Sequence, residues 1–249
     1  MKKTLFAVGC MVAASTTHVA FADGEAKSES ASPLSVTLTV TSDYRFRGQS
    51  QNGRSPAAQG SIEYASDIGV TFGAWASNVD FSDTGDNDTF MEADFYASYG
   101  FSLDDATTGA AKVTFYHYPD SPPGVAYDYW EGQLSLSHTM DKLTVNLEAN
   151  YSPDYFNETG AAMAIAAGVE YPVFEKISAS ANVGHQWIDD NVLFGTDDYL
   201  YWDVGFGIDL GRLQLDARYV STNVDEADCF AGTNLCEGGF VASASISFP

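Results

Sequence analysis

The chain has 249 residues, 45% of them hydrophobic, and carries 11 Lys and Arg against 34 Asp and Glu, a formal net charge of −23. So acidic a surface repels nucleic acid, which needs a basic footprint, and it excludes a polybasic membrane-surface protein. Beyond the N-terminal region nothing approaches 18 consecutive apolar residues, which rules out a membrane-spanning helix and leaves a β-barrel open.

The first residues read as a secretory leader. Lys2 and Lys3 form a positive n-region, an apolar run covers 5–14, and Ala20-Phe21-Ala22 supplies a small-x-small cleavage site. Cys10 suggests a lipoprotein alternative, but that reading leaves too short an apolar core. Residues 1–22 are therefore expected to be removed, and the polar, aperiodic stretch 23–34 to form a disordered periplasmic stub.

From residue 35 onward the sequence alternates with period two. In 35–47, Val36, Leu38, Val40, Tyr44 and Phe46 interleave with Thr37, Thr39, Thr41, Asp43, Arg45 and Arg47. In 143–151, Leu143, Val145, Leu147, Ala149 and Tyr151 interleave with Thr144, Asn146, Glu148 and Asn150. The segments 213–219 and 240–248 repeat the pattern, and alternation at 180° per residue is the signature of a strand with two unlike faces. Twelve strands are expected: 35–47, 57–66, 69–81 (with a parity shift near Asn78 that suggests a bulge), 89–102, 111–118, 127–138, 142–152, 161–172, 176–188, 198–210, 212–222 and 239–248. Most have about the 9–11 residues that a tilted membrane strand needs.

Short and long connectors alternate between these segments, apart from a middling one at 103–109. An even strand count with that rhythm predicts an all-β fold, a transmembrane antiparallel up-and-down barrel of about 12 strands over 35–249, with both termini periplasmic. Aromatics support it. Tyr44, Phe46, Trp130, Tyr151, Trp187, Trp202, Tyr219 and Phe240 are expected at the outer rim, and Tyr64, Phe72, Tyr99, Phe101, Tyr171 and Phe248 at the periplasmic rim. Phe248 also suits the terminal aromatic by which barrels are handed to their assembly machinery. The other expected partners are outer-membrane lipids and lipopolysaccharide.

The stretch 36–51 (VTLTVTSDYRFRGQSQ) resembles the opening strand of the TorF-type putative porins of proteobacteria, most specifically through 42–48. GAWASNVDF at 73–81, EADFYASY at 92–99 and the final strand are similar to later segments of that family. The resemblance implies an outer-membrane barrel of porin-like function with no defined substrate.

The polar parity is expected to face the lumen. It brings Asp43, Arg45, Arg47, Glu63, Glu92, Asp94, Glu131, Glu148, Asp203, Asp216 and Arg218 to the pore lining, with Lys112, Glu170 and Asp209. An Arg–carboxylate network built on Arg45, Arg47 and Arg218 is expected to form the constriction, and the excess of acids predicts cationic or neutral solutes. The same network also suits a closed barrel with adhesive surface loops. A barrel hydrolase is a further alternative; His117 and His185 fall at the outer rim and His138 near the periplasmic turn, and no Gly-x-Ser-x-Gly serine accompanies them. Cys229 and Cys236 are expected to form a local disulfide, which suits an exported chain. The loop acids, including Asp86-Asn87-Asp88, are too incomplete to predict a calcium site, and no cofactor or metal is expected.

Overall fold

The computed structural model describes residues 32–249, so the expected leader and nearly all of the expected stub lie outside the described residues. The rest forms a closed barrel of twelve antiparallel strands: β1 (Leu34–Thr41), β4 (Ala57–Ala65), β5 (Val70–Asn78), β6 (Met91–Ser102), β7 (Thr107–His117), β8 (Tyr129–Met140), β9 (Leu143–Ser152), β10 (Ala162–Phe174), β11 (Ile177–Ile188), β12 (Tyr199–Asp209), β13 (Leu213–Thr222) and β14 (Gly239–Phe248). Each strand pairs with its chain neighbours, and β1 closes the ring against β14, with Val36 opposite Phe248 and Thr41 opposite Ser243. Two further short strands, β2 (Arg45–Phe46) and β3 (Gln49–Ser50), form a separate hairpin inside the ring.

The alternation seen in the sequence becomes a division between two solvents. On the apolar parity Val40, Leu147, Tyr151 and Val204 remain 60%, 52%, 55% and 48% exposed. On the polar parity Glu92, Glu131, Asn150, Gln186, Asp203 and Arg218 are buried. A continuous outward apolar band around an inward polar lining is the inverse of a soluble sandwich and the arrangement that lipid demands. The expected girdle aromatics Trp130, Tyr151 and Phe240 near one rim, and Tyr64, Phe72, Tyr99 and Tyr171 near the other, all point outward and exposed.

Three sequence expectations are corrected. The first strand ends at Thr41 rather than at 47, and Tyr44 and Phe46 turn into the barrel instead of joining the outer girdle. Alternation could not reveal this, because an inward hairpin alternates as a wall strand does. The third strand ends at Asn78, so the parity shift there marks a strand end. β7 begins at Thr107, which reduces the anomalous connector to a four-residue turn at 103–106.

At one end of the barrel the turns are tight, as where Asp141 at φ +57° opens the two-residue link between β8 and β9. The other end carries the long segments 42–56, 79–90, 118–128, 153–161, 189–198 and 223–238. The disulfide Cys229–Cys236 forms as expected in the last of these.

Candidate functional site: a lumen crossed by an inward hairpin

The hairpin begins where β1 leaves the wall at the long-loop end. Thr41 Oγ1 donates to the Asp43 carbonyl, and the Ser42 NH donates to Ala242 on β14, which turns the chain inward. Phe46 pairs with Gln49, leaving Arg47-Gly48 as a two-residue turn at φ +46° and +86°. Positive φ at both central residues is the type I′ geometry that suits a tight hairpin, and glycine supplies the second position at no steric cost. Gly48 is required for a second reason. A Cβ there would lie 2.6 Å from Thr222 Cγ2 and 3.0 Å from Tyr201 Cβ, so the hairpin tip is pressed against β12 and β13.

At the tip, Arg47 is buried at 3% exposure. Its Nη2 donates to both oxygens of Glu131 on β8 at 2.8 and 2.7 Å, and its Nη1 donates to Gln186 Oε1 on β11 at 2.9 Å. Its guanidinium also lies 4.6 Å from the centroid of the Phe46 ring. A segment leaving β1 is thus tied across the lumen to the opposite wall. One nitrogen of the planar guanidinium meets the carboxylate of Glu131 and the other meets Gln186, so the tie engages two strands in a fixed geometry.

Arg45 acts elsewhere. Its Nε donates to Asp43 Oδ2 at 2.7 Å, and its Nη1 donates to the Gly48 carbonyl at 3.0 Å and the Glu237 carbonyl at 2.6 Å. Asp43 Oδ1 accepts from Ser50 Oγ at 2.7 Å. Arg54 continues the seam: Nη1 donates to the Asn234 carbonyl and Nη2 to the Gly238 carbonyl, while the Ser50 NH donates to the Leu235 carbonyl. These carbonyls lie in and beside the disulfide-closed loop, which therefore holds the base of the hairpin. The expected three-arginine constriction is thus divided, with Arg47 crossing the lumen and Arg45 fastening the hairpin to its neighbouring loop.

Arg218 forms a second cluster on the wall. It donates to Asp203 Oδ1 and to both oxygens of Asp216, each at 2.6 Å, and Asn182 donates to the same Asp203 oxygen at 2.9 Å. Glu63 accepts from the Tyr96 hydroxyl at 2.6 Å. Tyr96 lies flat over Gly73, where a Cβ would come within 2.1 Å of the ring. Glu148 accepts from Asn150 at 2.7 Å. Glu92 and Asp94 face inward from β6 and are buried.

Above these charges lies a feature that the sequence reading did not single out. Tyr44, Trp75, Phe81, Tyr116, Tyr118, Tyr129 and Tyr155 form a buried aromatic cluster inside the long-loop end, joined by Phe46 and Tyr127. Tyr116 stacks on Tyr129 at 4.4 Å, and Tyr127 on Phe156 at 4.4 Å. The signal was available, since Tyr116, Tyr129, Tyr199 and Tyr201 sit on the polar parity at the long-loop ends of their strands. In the loop above, burial and then the neighbouring Asp86 push the Tyr127 hydroxyl up to about 12. Burial works to raise Asp86 itself. Hydrogen bonds from the Thr89 hydroxyl, the backbone NH groups of Asp88 and Thr89 and the Tyr127 hydroxyl outweigh it and hold Asp86 below its ordinary value.

The three histidines considered for hydrolysis lie apart. His117 is bonded to Asp128 at 2.7 Å and stacked on Phe115, His185 lies 4.3 Å from Trp187, and His138 contacts Thr107 near the short-turn end.

The profile of a family described as "Bacterial protein of unknown function (Gcw_chp)" matches residues 25–248. No curated protein matches the chain in sequence. Among solved structures, a KdgM porin superposes with a TM-score of 0.59 at 8% identity, covering 86% of this chain and 99% of that one. The KdgM porin in complex with disordered oligogalacturonate gives 0.60 at 7% identity, with 86% and 99% coverage. A NanC porin gives 0.58 at 10% identity, with 86% and 98% coverage. At such identities the likeness is one of fold.

Proposed function

We propose, for a chain that belongs to the Gcw_chp family of bacterial proteins, that it is a passive porin-like channel of the outer membrane for small cationic or neutral solutes. In this reading the leader is removed on export and both termini lie in the periplasm. The long loops then meet lipopolysaccharide, and Phe248 presents the last strand to the assembly machinery. The barrel fold shared with the KdgM and NanC porins supports the location.

The observation that carries the reading is Arg47, held across a polar lumen by Glu131 and Gln186. Twelve strands exceed the eight whose interior side chains simply fill, so without the hairpin the ring encloses space for water. The hairpin reduces that space to a narrow passage. The remaining lining is rich in acids, among them Glu92, Asp94 and Glu148, which raises the local concentration of cations and disfavours anions.

Planar bilayers test this directly. Purified protein is expected to give small current steps whose reversal potential in a salt gradient follows the cation. Silence at every voltage would remove the channel. The alternative of a closed barrel with adhesive loops is favoured by one observation, the aromatic cluster and hairpin that together occupy the long-loop end of the lumen.

A further inference from the structure

Among the described residues, four cations stand on inward positions of the wall and hairpin: Arg45, Arg47, Lys112 and Arg218. The three arginines are buried, and each is held in an ion pair, at 2.7 Å to Asp43, 2.7 Å to Glu131 and 2.6 Å to Asp203. Lys112 faces inward from β7, opposite Ser98 on β6 and Gln133 on β8, and keeps part of its surface exposed. Gln133 follows Glu131 by two residues on the same inward face, so Lys112 stands just past the hairpin tip toward the short turns. Its ammonium lies 5.8 Å from the centroid of the Tyr96 ring and in the field of Glu148 on β9, Glu131 on β8 and Asp94 on β6.

We infer that Lys112 is a selectivity-determining residue of the lumen, a tethered counter-ion that limits the preference of the acidic lining for cations. The inference rests on the channel reading. A lysine ammonium is a compact charge on a flexible stem, suited to several carboxylates at once, whereas the fork of an arginine is committed to one geometry. Asp203 and Asp216 are tied to Arg218 at 2.6 Å, which fixes charge and geometry together on that wall. On the β6–β9 side three acids share the field of one lysine, which leaves a net negative threshold that draws cations in and repels anions without shutting them out. Position matters as much as charge. The hairpin tip narrows the path beside Lys112, and a constriction with low-dielectric walls concentrates the field on a passing ion.

Reversal potentials in a potassium chloride gradient test the inference. Lys112→Gln is expected to raise the cation-to-anion permeability ratio about fivefold, the size of effect that one unit charge has across several ångströms of water. Lys112→Met, which keeps an apolar stem beside Tyr96, repeats the measurement should the glutamine variant fail to fold. Lys112→Cys is expected to match both, and to regain the native ratio once an ethylammonium methanethiosulfonate rebuilds the positive charge. The sulfonatoethyl reagent, which adds a negative charge instead, should carry the ratio beyond that of the neutral variants. An unchanged ratio in the neutral variants, or the same recovery with either reagent, would overturn the inference and leave the channel standing. Silence of the unsubstituted protein at every voltage would sink the channel, and the role of Lys112 with it.

Discussion

The two sides of the lumen are built on opposite principles. On β8, β12 and β13 the inward lining carries charges that are tied, Glu131 to Arg47 of the hairpin and Arg218 to Asp203 and Asp216. On β14 and β1 they are short hydroxyls that hold one another, Thr37 with Ser247 and Thr39 with Ser245. The charged side fixes where the hairpin rests, and the hydroxyl side determines what space is left over. A change on the charged side is therefore expected to move the hairpin or the selectivity, and a change among the hydroxyls to do neither.

Arg47→Ala attacks the tied side most severely. It removes the tie across the lumen and leaves Glu131 without its cation, a loss of about 3 kcal/mol or more for a buried pair. The expected result is a single-channel conductance raised severalfold. Cys229→Ser, or Cys236→Ser, acts on the base of the hairpin instead. Releasing an eight-residue loop costs about 2–3 kcal/mol, and the expected readout is flickering current and a lowered melting temperature rather than a uniformly wider channel. Arg218→Ala leaves Asp203 and Asp216 unneutralised and should move the reversal potential further toward the cation with little change in conductance.

The smallest effect is expected from acid. Asp86 is held below its ordinary value, so its contribution to ordering the 79–90 segment is complete above the ordinary carboxylate range and is lost as pH falls through the depressed value. The protection of the Thr89 NH, its exchange relative to the intrinsic rate at each pH, should fall on acidification, and Asp86→Asn should show a smaller fall over the same interval.

The barrel itself was legible because its cause is local. Side chains alternating between lipid and water mark every wall strand, and β14 at Gly239–Phe248 matches the expected 239–248. The hairpin was not legible, because Tyr44, Arg45, Phe46 and Arg47 alternate as wall residues do. What sends them inward is the Arg47-Gly48 turn together with partners at Glu131, Gln186 and Glu237, far away in sequence. Glu131 and Arg218 could be placed in the lumen from parity alone, but their pairing could not, because it depends on which strands the ring brings together. The tyrosines of the inner cluster were visible on the polar parity and were overshadowed by the outward girdles.

Neighbouring residues of one wall strand meet different solvents, and adjacent positions on β14 test this most directly. Ser245→Cys and Ile246→Cys, each made in protein reconstituted into lipid vesicles with the native disulfide intact, can be exposed to a charged, membrane-impermeant thiol reagent. Rapid modification at 245 and none at 246 is the predicted result. Equal protection of both positions, or modification at 246 alone, would contradict a water-filled lumen behind a lipid-facing wall.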